Sequence, residues 1–182
     1  MMAVTNMLPG EMPVSLNEAR GWLRMGATID DAVVAGLVRA ATNICEAFIG
    51  QWLIERAAEE TVPLSGGAAT LSPRPVIALD GVTLLLPETA EILPAERYHL
   101  TVARDGTGRV AIVDPGQAER VRITCRAGIA ADANGVPEAI RQGIVRMTQH
   151  LHDARDDDDV APPAMIAALW KPWRRLTLGG GR

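Results

Sequence analysis

The residues of this chain that could do chemistry are three histidines, two cysteines, two glycine turns and one run of aspartates. His150 and His152 are two apart, which puts them on different faces of a helix, whereas a helical metal pair needs a spacing of three or four. His99 stands alone. Cys45 has no histidine near it in sequence and falls on an apolar helix face, where a thiol is a poor nucleophile. Cys125 falls in an apolar, strand-like run. Both read as small buried hydrophobes, with no support for a disulfide, and a reducing compartment is expected. Gly66-Gly67 and Gly106-x-Gly108 lack the lysine and the following helix of a phosphate loop, so they read as hairpin turns. Asp156, Asp157, Asp158 and Asp159 match a calcium loop only in charge, since alternating ligands, a central glycine and a closing glutamate are missing. The default for that run is a solvated acidic corner. The expectation is no catalytic residue, no metal and no cofactor.

The C-terminal segment is different. Trp170 and Trp173 stand among Lys171, Arg174, Arg175 and Arg182, and three glycines precede the last residue. Two tryptophans are costly to leave in water at a chain end. One reading folds both back on this chain's own core. The other makes them an anchor that docks into another protein, because tryptophan and arginine dominate interface energetics.

The elements that must position these residues follow from periodicity. Residues 29–52 place Val33, Val34, Leu37, Val38, Ala41, Ile44, Cys45, Phe48 and Ile49 at three- and four-residue steps, the period of one helix face. Arg39, Asn43 and Glu46 fall on the opposite, wet face. Asp30 and Asp31 suit the start of this helix and Gly50 its exit. Before it, Ser15 and Glu18 fit a capping box that opens a short helix with Leu16, Ala19, Trp22 and Leu23 as its apolar face. The two form an αα-hairpin. A third helix starts near Val136-Pro137 and carries Ile140, Ile144, Met147 and His150 or Leu151 in one stripe. Between the helices, six short segments (54–64, 68–71, 76–86, 98–103, 109–113 and 121–126) read as strands separated by turns, with Asp80-Gly81 as a bulge or tight turn. Val121, Ile123 and Cys125 share one face of the last strand, and Arg122, Thr124 and Arg126 the other.

The fold class expected is therefore α+β: a helical bundle body with a small antiparallel β unit inserted in it. The expected divisions are an extended N-terminal arm at 1–13, a domain at 14–155 with helices at 15–25, 30–50 and 136–155 and the β insert at about 54–127, and an acidic loop and tail at 156–182. The chain has 182 residues, is 48% hydrophobic and carries a net charge of −4. That composition excludes a disordered chain and argues against a general nucleic-acid binder. No leader-like segment and no apolar run of membrane-spanning length is read.

The order of the pieces resembles a known family. SLNEARGWL, then DDAVVAGLVRAATNICEAFIGQWLI, a β insert with LSPRPVIALDGVTL, the strand VRITCRAGI, and the helix VPEAIRQGIVRMTQHLHDAR follow the pattern of the head–tail connector, or adaptor, proteins of tailed phages and phage-derived gene transfer agents. The likeness runs from Val14 to Arg155. It is carried by Leu16, Glu18, Ala19, Leu23, Asp31, Leu37, Ala40, Ala41, Glu46, Gly50, Pro75, Val76, Ala127, Gly128, Pro137, Ile140, Ile144 and Arg155. The resemblance implies a structural protein without catalysis. Such proteins form a ring, usually of twelve copies, beneath the portal, extend the DNA channel and offer a platform to the next neck or tail protein, a stopper or tail terminator. It places this chain in the neck of a virion or phage-like particle, made in the bacterial cytoplasm, with DNA passing through unbound and no membrane partner. It makes the tail a portal-binding segment, with Trp170, Lys171, Pro172, Trp173, Arg174, Arg175, Leu176 and Leu178 as contacts. Asp156 to Asp159 would face the channel, where carboxylates keep phosphates mobile. The longer β insert departs from the helical branch of that family.

Two other classes compete. A small soluble ligand-binding or hydrolytic α/β protein would need convergent polar groups, which the sequence does not show. A nucleic-acid binder would use Arg122, Arg126, Lys171, Arg174 and Arg175, which are scattered among more acids than bases.

Overall fold

The computed structural model describes residues 4–7, 11–23, 31–153 and 161–175. The chain forms two compact units, one of Met1–Gly10 with Glu55–Ile129, the other of Glu11–Ile54 with Ala130–Arg182. The class is α+β. Residues 4–7 are a strand of the first unit, and Val14 is fully buried in the second.

The first unit holds strands β1 (Val4–Met7), β2 (Arg56–Pro63), β3 (Ala68–Thr70), β4 (Val76–Leu85), β5 (Ala90–Ile92), β6 (Tyr98–Val102), β7 (Gly108–Ile112) and β8 (Arg120–Ala127). They make a five-stranded sheet in the order β1-β2-β8-β4-β5 and a three-stranded sheet in the order β3-β7-β6. Every pairing between these strands is antiparallel. The period-two pattern of β8 is realised: Val121, Ile123 and Cys125 are all fully buried, and Arg122 and Arg126 are exposed. Register sets Ala58, Glu60 and Val62 of β2 against Cys125, Ile123 and Val121, so these residues share the buried side. Glu60 is a buried carboxylate in that row, and it accepts a hydrogen bond from the Ser72 amide at 2.9 Å. The register of β4 on β8 shifts between Leu79 and Gly81, which makes Asp80 the extra residue of a bulge. The β6–β7 hairpin turns at Gly106, with φ +85°, and a Cβ there would lie 2.8 Å from that of Pro75. Asp105 takes the Thr107 amide at 3.0 Å and its hydroxyl at 2.9 Å. These contacts hold its carboxyl below the ordinary range, the amide bond contributing most.

The second unit holds helices α1 (Leu16–Leu23), α2 (Asp31–Ile49), α3 (Glu138–Asp153) and α4 (Ala164–Trp170). Ser15 Oγ accepts from the Glu18 amide at 3.1 Å. The Glu18 carboxylate does not complete the box; it takes Arg141 of α3 at 2.7 Å. α2 packs on α3, α1 and α4 through Val34, Val38, Ala41, Cys45 and Ile49. It is long and apolar enough to cross a membrane by length and composition, but this inner stripe is core. Two expectations for α2 are corrected. Val33, expected inside, is 49% exposed. Glu46, expected on the wet face, is 9% exposed and accepts from the buried Leu53 amide at 2.9 Å. Its carboxylate thereby closes the turn after the helix, where Gly50 adopts φ +70°. Trp22, expected on the apolar face of α1, is 43% exposed. α3 buries Ile140, Ile144, Met147 and Thr148 completely. The joint at 24–30, with Asp30, lies outside the described residues.

Candidate interaction surfaces

Two places in the second unit gather the residue types that make interfaces. The first is the start of the C-terminal segment. α4 ends at Trp170, and Lys171–Trp173 forms a single 3₁₀ turn. Trp170 is fully buried. Its indole N–H donates to the Ile140 carbonyl at 3.3 Å, and its ring lies 5.9 Å from that of Phe48 at a tilt. The socket exists because residue 143 is glycine: a Cβ there would overlap the indole. Trp170 is therefore folded back on this chain's own core, the first of the two readings of the segment. Trp173 is not: it is 37% exposed.

Beyond Trp170 the chain is tied to the C-terminal end of α2. The Gln51 side-chain amide donates to the Trp173 carbonyl at 2.6 Å, and the Arg175 amide donates to the Ile49 carbonyl at 2.8 Å. That carbonyl is one of those an α-helix leaves open at its end. The Arg174 guanidinium lies 5.2 Å from the centre of the Phe48 ring. Lys171, Pro172, Trp173, Arg174 and Arg175 are all exposed. The structure thus fixes the point from which the last residues leave. Leu176 and Leu178, like Asp156, Asp157, Asp158 and Asp159, lie outside the described residues.

The second place is a groove of about 360 Å³ lined by Trp22 of α1, Arg146, Gln149, His150 and Asp153 of α3, and Met165 of α4 among others. The Trp22 indole donates to Gln149 Oε1 at 3.2 Å, and the Arg146 guanidinium lies 5.7 Å from the Trp22 ring centre. Arg146 also reaches Met165 Sδ at 3.3 Å. Met165 is 62% exposed. Tryptophan, methionine and arginine together on an open surface are the composition of an interface core. Sequence reading missed this groove because it assigned Trp22 inward.

The residues that could do chemistry do not converge. Both thiols are fully buried. Burial first, then the Glu46 carboxylate, pushes Cys45 up, and burial, Glu60 and Asp80 push Cys125 up to about 11. His99 is exposed on β6, and His152 pairs with its neighbour Asp153 at 3.1 Å. Among the described residues no group of three or more His, Cys, Asp or Glu side chains could hold a metal ion. Arg126 is neutralised by Glu55 at 2.8 Å and Asp80 at 3.2 Å, and Arg122 faces Glu59 at 3.8 Å, so β8 offers no free basic stripe.

No protein-family description and no curated protein matches this chain. Its fold is shared by chains of gene transfer agent particles. A chain of the neck of an empty GTA particle, computed with C6 symmetry, superposes with a TM-score of 0.78 at 22% identity over 98% of this chain and 99% of that one. A chain of the virion of a native gene transfer agent particle gives 0.75 at 23% identity, covering 97% and 98%. A chain of the neck of a native GTA particle, computed with C12 symmetry, gives 0.74 at 23%, covering 98% and 99%. Both units are thus matched, end to end, in one known architecture.

Proposed function

We propose that the chain is a structural subunit of the neck of a phage-like particle, an adaptor repeated as a ring of twelve copies, that joins capsid to tail. The observation that carries this is the end-to-end fold likeness to neck chains of gene transfer agent particles. The C12 and C6 symmetries used for those necks suit a chain present in many copies around one axis. In this reading the helical unit builds the ring beneath the portal and extends the DNA channel, and the β unit meets the downstream stopper or tail terminator. DNA passes without being gripped, and Asp156 to Asp159 face it. The protein works in the particle neck, is made in the bacterial cytoplasm, and has neither catalysis nor cofactor.

The portal contact belongs to the segment after Trp170. Trp170 itself positions the segment from inside the core. Lys171, Pro172, Trp173, Arg174 and Arg175 present the exposed onset, and Leu176 and Leu178 continue the anchor. The test mixes the full-length chain with its portal and images the product by electron microscopy, beside a chain ending at Arg175 and a Trp173→Ala variant. A ring stacked on the portal, lost in the shortened chain and weakened in Trp173→Ala, is expected. Full portal binding by the shortened chain and by Trp173→Ala would remove the anchor role. A chain that ignores the portal altogether would remove the adaptor role.

A further inference from the structure

α2 has a second face that none of the described elements of its own unit covers. Ala32, Val33, Arg39, Asn43 and Ala47 are exposed there, and Gly36 and Ala40 are half-buried between them. A Cβ added at Gly36 would meet nothing within 4 Å. A mid-helix glycine with open space above it costs helix stability and relieves no crowding inside the chain. The flank is made mostly of small residues, with the Asn43 amide among them and one cation, Arg39, at its edge. Arg39 has no ionic or hydrogen-bonded partner among the described residues.

The groove of α1, α3 and α4 has the opposite relief. Trp22 and Met165 stand up from it, Arg146 lies between them, and the exposed carboxylate of Asp153 closes one end. α2 contributes nothing to its lining. One copy therefore carries two unlike patches, bulky on one and small on the other. That is what a head-to-tail ring contact requires, whereas a two-fold contact would use one self-complementary patch.

We infer that the groove of one copy takes the outer flank of α2 from the next copy, with Trp22 and Met165 seated against Gly36 and Ala40, and Arg39 paired with the next copy's Asp153. The inference rests on the ring proposed above and names its surfaces. The partner is a second copy of this chain because the flank supplies the small residues that the groove's ridges need and a cation for the exposed Asp153 carboxylate, whose one polar partner among the described residues is the His152 ring at 3.1 Å.

Sedimentation velocity on the full-length chain tests this through a charge swap. Arg39→Asp should weaken self-association by roughly tenfold or more, and Asp153→Arg should do the same. The double variant should recover most of the loss, because it restores the pair with its signs exchanged. Gly36→Gln should block assembly while leaving the monomer's thermal stability equal or higher. Assembly unchanged in all three single variants would overturn the inference and leave the proposed neck role standing. A double variant no better than its parents would overturn the Arg39–Asp153 pairing that orients the contact. A wild-type chain that stays monomeric up to about 1 mM overturns it as well. Finding that same chain on the portal by microscopy would show that the neck role survives.

Discussion

Two helical glycines of this chain should respond to alanine with opposite signs. At Gly36 the added methyl meets open space, so only the backbone gains, by about 0.5–1 kcal/mol. At Gly143 the same gain applies, but the methyl lands on the Trp170 indole, with Cε2 at 2.7 Å and Cδ1 at 2.9 Å. The ring is fully buried and cannot swing into solvent without giving up its packing and its bond to the Ile140 carbonyl. Overpacking of this kind costs about 1–3 kcal/mol and a weakened buried hydrogen bond about 0.5–1.5 more. After the backbone gain is subtracted, Gly143→Ala should lose about 0.5–4 kcal/mol, with a central value of about 2 kcal/mol. The assay is urea unfolding followed by tryptophan fluorescence. All four tryptophans (Trp22, Trp52, Trp170 and Trp173) lie in the helical unit, so the signal reports that unit alone. A Trp170→Leu change should make Gly143→Ala far less costly, because the collision is gone. If Gly143→Ala proves as stable as the wild type, the account of the socket is refuted.

Three further outcomes are expected. Glu46→Ala should cost about 1–3 kcal/mol by the same assay, since the buried Leu53 amide loses its acceptor, while Glu46→Gln keeps an oxygen there and should cost clearly less. Cys45 and Cys125 should react with a thiol reagent roughly 10³-fold or more slowly in the native chain than in denaturant; a fast native phase would contradict their burial. Asp105 has a depressed folded pKa, so its contribution is present above the unfolded value and is lost as pH falls through the folded one. The stability difference between wild type and Asp105→Ala, read by circular dichroism, should therefore be full near neutrality and shrink below about pH 4; an equal difference at pH 3 and pH 7 would refute it.

What could be read from the sequence was what period alone decides. The inner stripe of α2, the buried row of β8 and the β6–β7 hairpin each follow from spacing and turn residues. β5 could not be read, because Ala90, Glu91 and Ile92 are all exposed and show no alternation. β1 carries no pattern either, and only its pairing with β2 makes it a strand. Glu46 fell on the wrong face because a carboxylate at that spacing looks solvated; its partner is a backbone amide seven residues on, which no side-chain pattern displays. The two C-terminal tryptophans could not be told apart from spacing. What separates them is an empty place opposite Trp170, and its signal was a glycine in the middle of an otherwise ordinary helix, Gly143.

The outer flank of α2 leads to one more consequence. An outer helix flank whose only charge over Ala32–Ala47 is Arg39 is more apolar than an ordinary solvent face. Here the inner stripe is covered within the unit, and the outer flank leaves Val33 half in water. If the next copy covers it, association and folding are linked, because the partner binds the folded unit and not the unfolded chain. Well above the dissociation constant, each tenfold rise in protein concentration then adds about 1.4 kcal/mol to the apparent stability. Unfolding followed by tryptophan fluorescence should shift to higher temperature with concentration in the wild type. It should shift much less in Arg39→Asp over the same range. A wild-type midpoint independent of concentration would show that the flank is tolerated bare, and α2 would then need another explanation for its apolar outer face.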